Sequence, residues 1–439
     1  MNYPVWNVDI LGGGLIVAII AIVHMLVSHV AVGGGALLAV AEVWSDGQPD
    51  GARIRTWLRR FATWFLVFTT VFGAITGVGI WFAIQLASPE ATSLLIHQFV
   101  FAWAAEWVMF LGELTVLYLY FYGWDVNSRA MQRFLAVAYF VIAWLSLFII
   151  NGILSFMMTP GGWTLENRDI FRAFFNPGFF PLLLLRTVVM FLLAGLFGML
   201  VATRVAADDD LKEKLIRFCA KWVIPAAVAA PLLAFWYWTT LPGSAVALAL
   251  GGVTGVAGGR LEVVTRYGLL AGLAGALILV GTFAMALRPR AANTAPALAL
   301  LLVAQLAIMG GEFFREMARK PYVIHGVLYS NQLWKEPGKA PARLDAPYLD
   351  AARWAPRLPA QSPARGEWIY RLQCASCHTI DGYRGLMKRT VAWTPAFGVR
   401  WLSTMDTLKV MPPFEGTAQD REALAAWVIS LHGRTGVKP

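Results

Sequence analysis

LGGGLIVAIIAIVHMLVSHVAVGGGALLAVAEV, residues 11–43, holds a single formally charged side chain, Glu42. Crossing ~30 Å of hydrocarbon takes about 20 helical residues, so this run predicts a transmembrane helix. Nothing before Arg53 is Lys or Arg, so the run lacks the basic flank of a cleaved signal peptide. Working outward, seven further apolar runs follow, at 61–87, 97–123, 131–157, 179–205, 218–242, 262–287 and 294–317. The whole chain of 439 residues is 58% hydrophobic and 14% charged. A soluble domain averages ~45–50% and ~25%. A water-soluble enzyme is excluded for most of the chain, as are disorder and a disulfide scaffold. The expected fold is all-α: a polytopic bundle of about eight transmembrane helices, followed by a small helical domain.

The net charge of +10 suggests nucleic acid until its location is read. Arg53, Arg55, Arg59 and Arg60 follow the first run, and Arg129 and Arg133 follow the third. Arg204, Lys212, Lys214, Arg217 and Lys221 follow the fifth, and Arg288 and Arg290 the seventh. The alternate loops hold only Arg168, Arg172 and Arg260. Thirteen against three places the N-terminus outside, and eight spans then place the C-terminus outside too. The expectation is a multi-pass protein of the bacterial inner membrane with both termini periplasmic, embedded in lipid and without a nucleic-acid partner. Residues 243–258, apolar but short and Gly-rich, read as an extracytoplasmic loop or re-entrant segment.

Six prolines between Lys335 and Arg365 mark a change of composition. They predict three parts: a membrane domain at 1–330, an extended Pro-rich linker at 331–365 and a last domain at 366–439. That domain carries Cys374-Ala-Ser-Cys377-His378, the C-x-x-C-H attachment motif of a covalent c-type haem, in which the histidine is the proximal iron ligand. A zinc site is disfavoured, because His378 and His432 are the only histidines here and no second C-x-x-C exists. The sixth ligand of such a haem is commonly Met, which raises its potential. Met411, in Met411-Pro412-Pro413-Phe414, is the leading candidate, ahead of Met387 and Met405. Residues 418–432 show helical periodicity in Leu424, Trp427, Val428 and Leu431. The motif, a Met-Pro some thirty residues on and a closing helix resemble a class I cytochrome c.

Ionisable groups inside a bilayer are costly and are functional candidates by default. The runs carry His24 and His29, Glu106 and Glu113, Arg186, Arg266, and Glu312 and Glu316 followed by Arg319 and Lys320. All but Glu113 fall in the outer halves of their spans, so a polar cluster is expected near the outer surface. His24 and His29, five residues apart, point about 140° apart on a helix and cannot easily serve one iron. His29 reads as structural, His97 and His325 as interfacial, and Cys219 as a small buried hydrophobe.

These residues resemble subunit I of the cytochrome bd oxidases. ELTVLYLYFYGWD, residues 113–125, is similar to that family's glutamate-bearing helix ending in Gly-Trp-Asp. Glu316-Met-Ala-Arg319-Lys320-Pro321-Tyr322 resembles its Glu-Tyr-Gly-Arg-Gln-Pro-Trp segment, and His24 and Asn176-Pro177 match as well. The resemblance implies that His24 is the axial ligand of an oxygen-reactive haem and Glu316 the ligand of a high-spin haem b. It implies that Glu106 and Glu113 line the proton path; Glu113 matches in register and Glu106 is one residue out. Two non-covalent haems of b or d type are thus expected beside one covalent haem c. The departures matter equally. Where the family has the histidine and methionine of its low-spin haem, this chain has Arg186 and Gly268, and the long hydrophilic quinol loop is missing. Arg186 and Arg319 are expected to meet haem carboxylates, since a guanidinium pairs with a carboxylate bidentately.

The expected function is a bd-type oxygen reductase drawing electrons from a periplasmic cytochrome c, or another donor, through its own haem c. The expected partners are that donor, dioxygen and a second membrane subunit resembling bd subunit II. Two other readings stand beside it: an electron-transfer subunit of a larger respiratory complex without oxygen chemistry, and a nitric oxide reductase-like activity.

Overall fold

The computed structural model describes residues 6, 8–206, 208–250, 262–335, 348–351, 355–359, 361–408 and 410–434. Among the described residues, eight helical stretches are long and apolar enough to cross a membrane. They are α1 (Gly13–Asp46), the pair α2 (Gly51–Val67) and α3 (Gly73–Ala87), α5 (Val100–Tyr122), α6 (Arg129–Phe156), α8 (Phe179–Val205), α9 (Asp209–Thr239), α11 (Glu262–Leu287) and α12 (Thr294–Ala318). The shortest crossing helix, α5 with 23 residues, is ~35 Å long, enough for the hydrocarbon layer. Short helices α4 (Pro89–Gln98), α7 (Ile170–Phe174) and α10 (Gly243–Leu250) lie between them. The eight residues of α10 reach only ~12 Å and add no ninth span; the remainder of the 243–258 segment lies outside the described residues.

α1 is the hub, packing on α2, α3, α6, α8 and α12. Its Gly33-Gly34-Gly35 run makes this possible. A Cβ on Gly33 would lie 2.0 Å from the Met190 carbonyl oxygen of α8. One on Gly34 would lie 2.3 Å from the Phe65 ring of α2, and one on Gly35 2.5 Å from the Tyr139 ring of α6. Three consecutive missing side chains thus admit three helices, the close-approach device of membrane bundles. α8 is the most enclosed helix, whereas α5 is mostly turned outward, with Phe101, Val108 and Leu111 exposed.

Basic residues that the sequence places in loops sit instead on helical extensions. α2 begins ten residues before the predicted 61 and α9 nine before the predicted 218. Paired charges line the extensions: Arg53 with Asp208, Lys214 with Asp50, and Arg59 with Asp125 at 2.6 Å. Such exposed pairs each contribute little. Deeper in the same end, Glu42 is fully buried; it accepts from Tyr120 at 2.7 Å and pairs with Arg129 at 2.6 Å.

At the opposite end, a hairpin of β1 (Tyr322–Ile324) and β2 (Leu328–Tyr329) follows α12. Pro337, Pro341 and Pro347 of the Pro-rich stretch lie outside the described residues. α13 (Tyr348–Ala351) already belongs to the packing of the last domain, with Tyr348 fully buried and its N–H donating to Asp420 at 2.8 Å. α14 (Ala364–Gln373), α15 (Pro395–Ser403) and α16 (Ala418–Arg434) complete that domain. α14 crosses α16 at Gly366, where a Cβ would lie 2.2 Å from the Ala423 carbonyl oxygen. Ile369, Tyr370, Leu424, Trp427 and Val428 form the core at this crossing.

Candidate haem sites

Cys374 caps the C-terminus of α14, and the chain turns at once: the N–H groups of Cys377 and His378 both donate to the Cys374 carbonyl, at 3.0 and 2.9 Å. One tight turn therefore presents both thiols and the imidazole, and both cysteines are unpaired. His378 Nδ1 donates to the Arg384 carbonyl at 2.9 Å, which leaves Nε2 as the nitrogen available to iron. Burial lowers the His378 pKa; nearby Arg389, Arg384 and Lys320 act the same way, against the hydrogen bond to Arg384. The neutral imidazole this favours is the form that ligates a metal. Met411 is half-buried in an irregular loop that Gln373, the residue before Cys374, straps in place. The Gln373 side chain donates to the Glu415 carbonyl at 2.6 Å and accepts from the Glu415 N–H at 3.1 Å. Two thiols and an imidazole in one turn fit a covalent haem, for which Met411 would supply the second iron ligand.

In the bundle, His24 Nδ1 and Thr76 Oγ1 lie 3.0 Å apart, and the other imidazole nitrogen is left for a ligand. Thr76 stands one turn beyond a π-helical turn, Phe68–Phe72, that joins α2 to α3. Such turns re-aim the residues that follow and recur at functional sites. His29 donates to the Met25 carbonyl at 2.8 Å and is fully enclosed, as a structural histidine would be. Ser146 of α6 donates to Glu106 at 3.4 Å and also reaches Glu113, so both carboxylates of α5 face the same hydroxyl.

The end of α12 is a charge ladder. Glu312 pairs with Arg315 at 2.8 Å, and Glu316 with Arg319 and with Lys320 at 3.0 Å. Arg186 of α8 is buried and lies in the field of Glu312 and Arg315. Arg186 Nε, Arg315 Nη1, Arg319 Nε and Tyr237 Oη are buried without hydrogen-bond partners. Four orphaned donors in one neighbourhood are costly unless an acceptor satisfies them. Carboxylates such as haem propionates have that chemistry. Glu316 fits an iron less directly, since both its oxygens are engaged by cations. At Gly268 a side chain would meet the Phe314 ring at 3.3 Å, so an aromatic ring of α12 stands where a methionine would project.

Sequence reasoning missed Arg315, although its spacing of three from Glu312 signals a helical pair. It also missed Thr76, Ser146 and Tyr237, neutral groups that become partners only across helices.

A helix bundle with intramembrane His, Glu and Arg gathered toward one end, joined to a c-type haem motif at that end, defines a membrane haem oxidoreductase of electron transport. The comparisons narrow the class. The family described as cytochrome bd terminal oxidase subunit I matches residues 15–255, more than half of the chain, and the chain belongs to that family. A second family, cytochrome c oxidase, cbb3-type, subunit III, matches residues 361–428. Among solved structures, the bd oxidase from Geobacillus thermodenitrificans is similar, with a TM-score of 0.63 and 17% identity. That alignment covers 72% of this chain and 88% of the other, and it establishes the bundle fold. Comparison with the curated proteins finds no match. The chain is therefore a multi-pass respiratory haem protein with a cytochrome c domain.

Proposed function

We propose that this chain is the catalytic subunit of a bd-type oxygen reductase fed by a cytochrome c rather than by quinol. The observation that carries the proposal is the position of the C-x-x-C-H loop, next to the end of α12 that bears Glu316: Arg384 of that loop touches Met317. Bound haem supplies a one-electron iron couple, and the reduction of dioxygen to water by four electrons and four protons draws on it.

The chain's own residues divide the work. Cys374 and Cys377 tether haem c, while His378 and Met411 hold its iron. His24 would hold one membrane haem, and Glu316 another once Lys320 or Arg319 releases a carboxylate oxygen. Arg186, Arg315 and Arg319 offer unpartnered donors to haem carboxylates. Glu106 and Glu113 pass protons along the Ser146 hydroxyl. Their helix, α5, is mostly turned outward, which supports a second membrane subunit covering it. Arg186 and Gly268 supply no ligand pair for a low-spin haem, so haem c takes over the receiving role. Both termini then face the periplasm, where a soluble donor meets the domain.

The test is oxygen consumption by the purified complex. Reduced periplasmic cytochrome c should sustain it and short-chain quinols should sustain little, with pyridine haemochrome analysis counting one haem c beside b- or d-type haem. Rapid quinol turnover that survives loss of the Cys374–Cys377 haem would overturn the reading.

A further inference from the structure

The last domain meets the membrane domain in a closely fitted contact at the start of α1, besides the packing of Leu333 and Tyr329 into its core. The Tyr383 N–H donates to the Ile10 carbonyl at 2.7 Å. A Cβ on Gly382 would lie 2.0 Å from that same carbonyl oxygen, so only glycine lets the two backbones meet. Gly12, at φ +72°, approaches Thr379, and the Cβ that Gly14 lacks would lie 3.5 Å from the Ser376 carbonyl oxygen. The N-terminal segment is itself fixed: the Trp6 N–H donates to the Leu86 carbonyl at 2.9 Å, and Gly13 abuts Ala87 at the end of α3. On the other flank, the Arg384 guanidinium lies over the Tyr383 ring at 5.3 Å and reaches Met317 Sδ at 2.9 Å. The carbonyl of this same Arg384 accepts the Nδ1 proton of His378.

We propose that Ile10–Gly14 and Thr379–Arg384 form a fixed seat from which the haem c domain delivers electrons without swinging, with Gly382 and Arg384 as its positioning residues. This rests on the electron path proposed above. Backbone set against backbone with no side chain between tolerates little sliding. Arg384 adds a second constraint, because one residue holds both the imidazole and the membrane helix. The seat therefore fixes the distance and orientation over which each single electron leaves haem c, oxidising it, and reduces the acceptor haem in the bundle. A tethered shuttle would instead need a contact that parts on every turnover.

The test is a lock. Standard bond lengths and the 2.7 Å hydrogen bond keep the Cα atoms of residues 10 and 383 within about 6.6 Å. A disulfide spans ~4.4–6.8 Å between Cα atoms. In the full haem-loaded chain, Ile10→Cys with Tyr383→Cys should cross-link nearly completely under mild oxidation, scored by mass spectrometry of the joined peptides. Cys219 is buried in the bundle and does not compete. Stopped-flow transfer from haem c to the membrane haems should then be the same within about two-fold in the locked and reduced forms. Gly382→Val should slow that transfer ten-fold or more, speed hydrogen exchange at Tyr383 and leave the haem c potential unchanged. A pair that does not cross-link, or a locked form slowed ten-fold or more, overturns the seat, as does a Gly382→Val chain that transfers at the original rate. Efficient cross-linking in a chain whose unmodified form passes no electron from haem c would refute the electron path instead and leave the docking contact standing.

Discussion

Gln373 does for the Met411 loop what Arg384 does for His378: a residue flanking the attachment motif fixes the position of a proposed ligand. Two amide bonds to Glu415 hold the loop, each worth about 1 kcal/mol net. Gln373→Ala should therefore destabilise the last domain by about 2 kcal/mol, measured by denaturant unfolding followed at the haem c band. Met411→Ala should lower the haem c midpoint potential, since an axial thioether raises it; an unchanged potential in redox titration would move the sixth ligand elsewhere. His24→Ala should abolish carbon monoxide binding by the membrane haem and leave the haem c spectrum intact, read from difference spectra. The motif residues were legible in the sequence because their spacing is the chemistry. Thr76 and Arg384 were not, because a hydroxyl on another helix or a backbone carbonyl six residues on becomes a partner only after the chain has folded.

The helices show the same division. Every predicted crossing is present, because runs of about 20 apolar residues have no other stable place. The predicted starts of α2 and α9 fall late, since hydropathy drops where Arg53, Arg59 and Lys214 stand, while the helices continue there with these residues paired to Asp208, Asp125 and Asp50. Nor does hydropathy reveal that the three glycines of α1 choose its neighbours. Gly33→Val should cost more than the ~1–3 kcal/mol of ordinary overpacking, because the obstacle is the Met190 backbone and not a movable side chain. The measurement is the yield of monodisperse, haem-loaded protein in detergent beside that of a Val variant at exposed Leu277 of α11.

For the whole molecule, charge and span number make one joint statement about sidedness. Epitope tags at both termini should be reached by antibody in intact spheroplasts, and a tag in the turn between α5 and α6 only after permeabilisation; the reverse pattern would invert the molecule. The contact between Ile10 and Tyr383 adds a constraint of sequence in time. The segment that receives the last domain precedes the bundle in the chain and its partner follows it, so the two are synthesised with the whole bundle between them. On the proposed topology, the bundle stands with that surface bare until the last domain has crossed the membrane and received its haem. Joining the two flanks of the bundle then closes a loop in the chain, so a molecule lacking its covalent haem, as in Cys377→Ala, should stay open at this joint, read as faster hydrogen exchange at Tyr383.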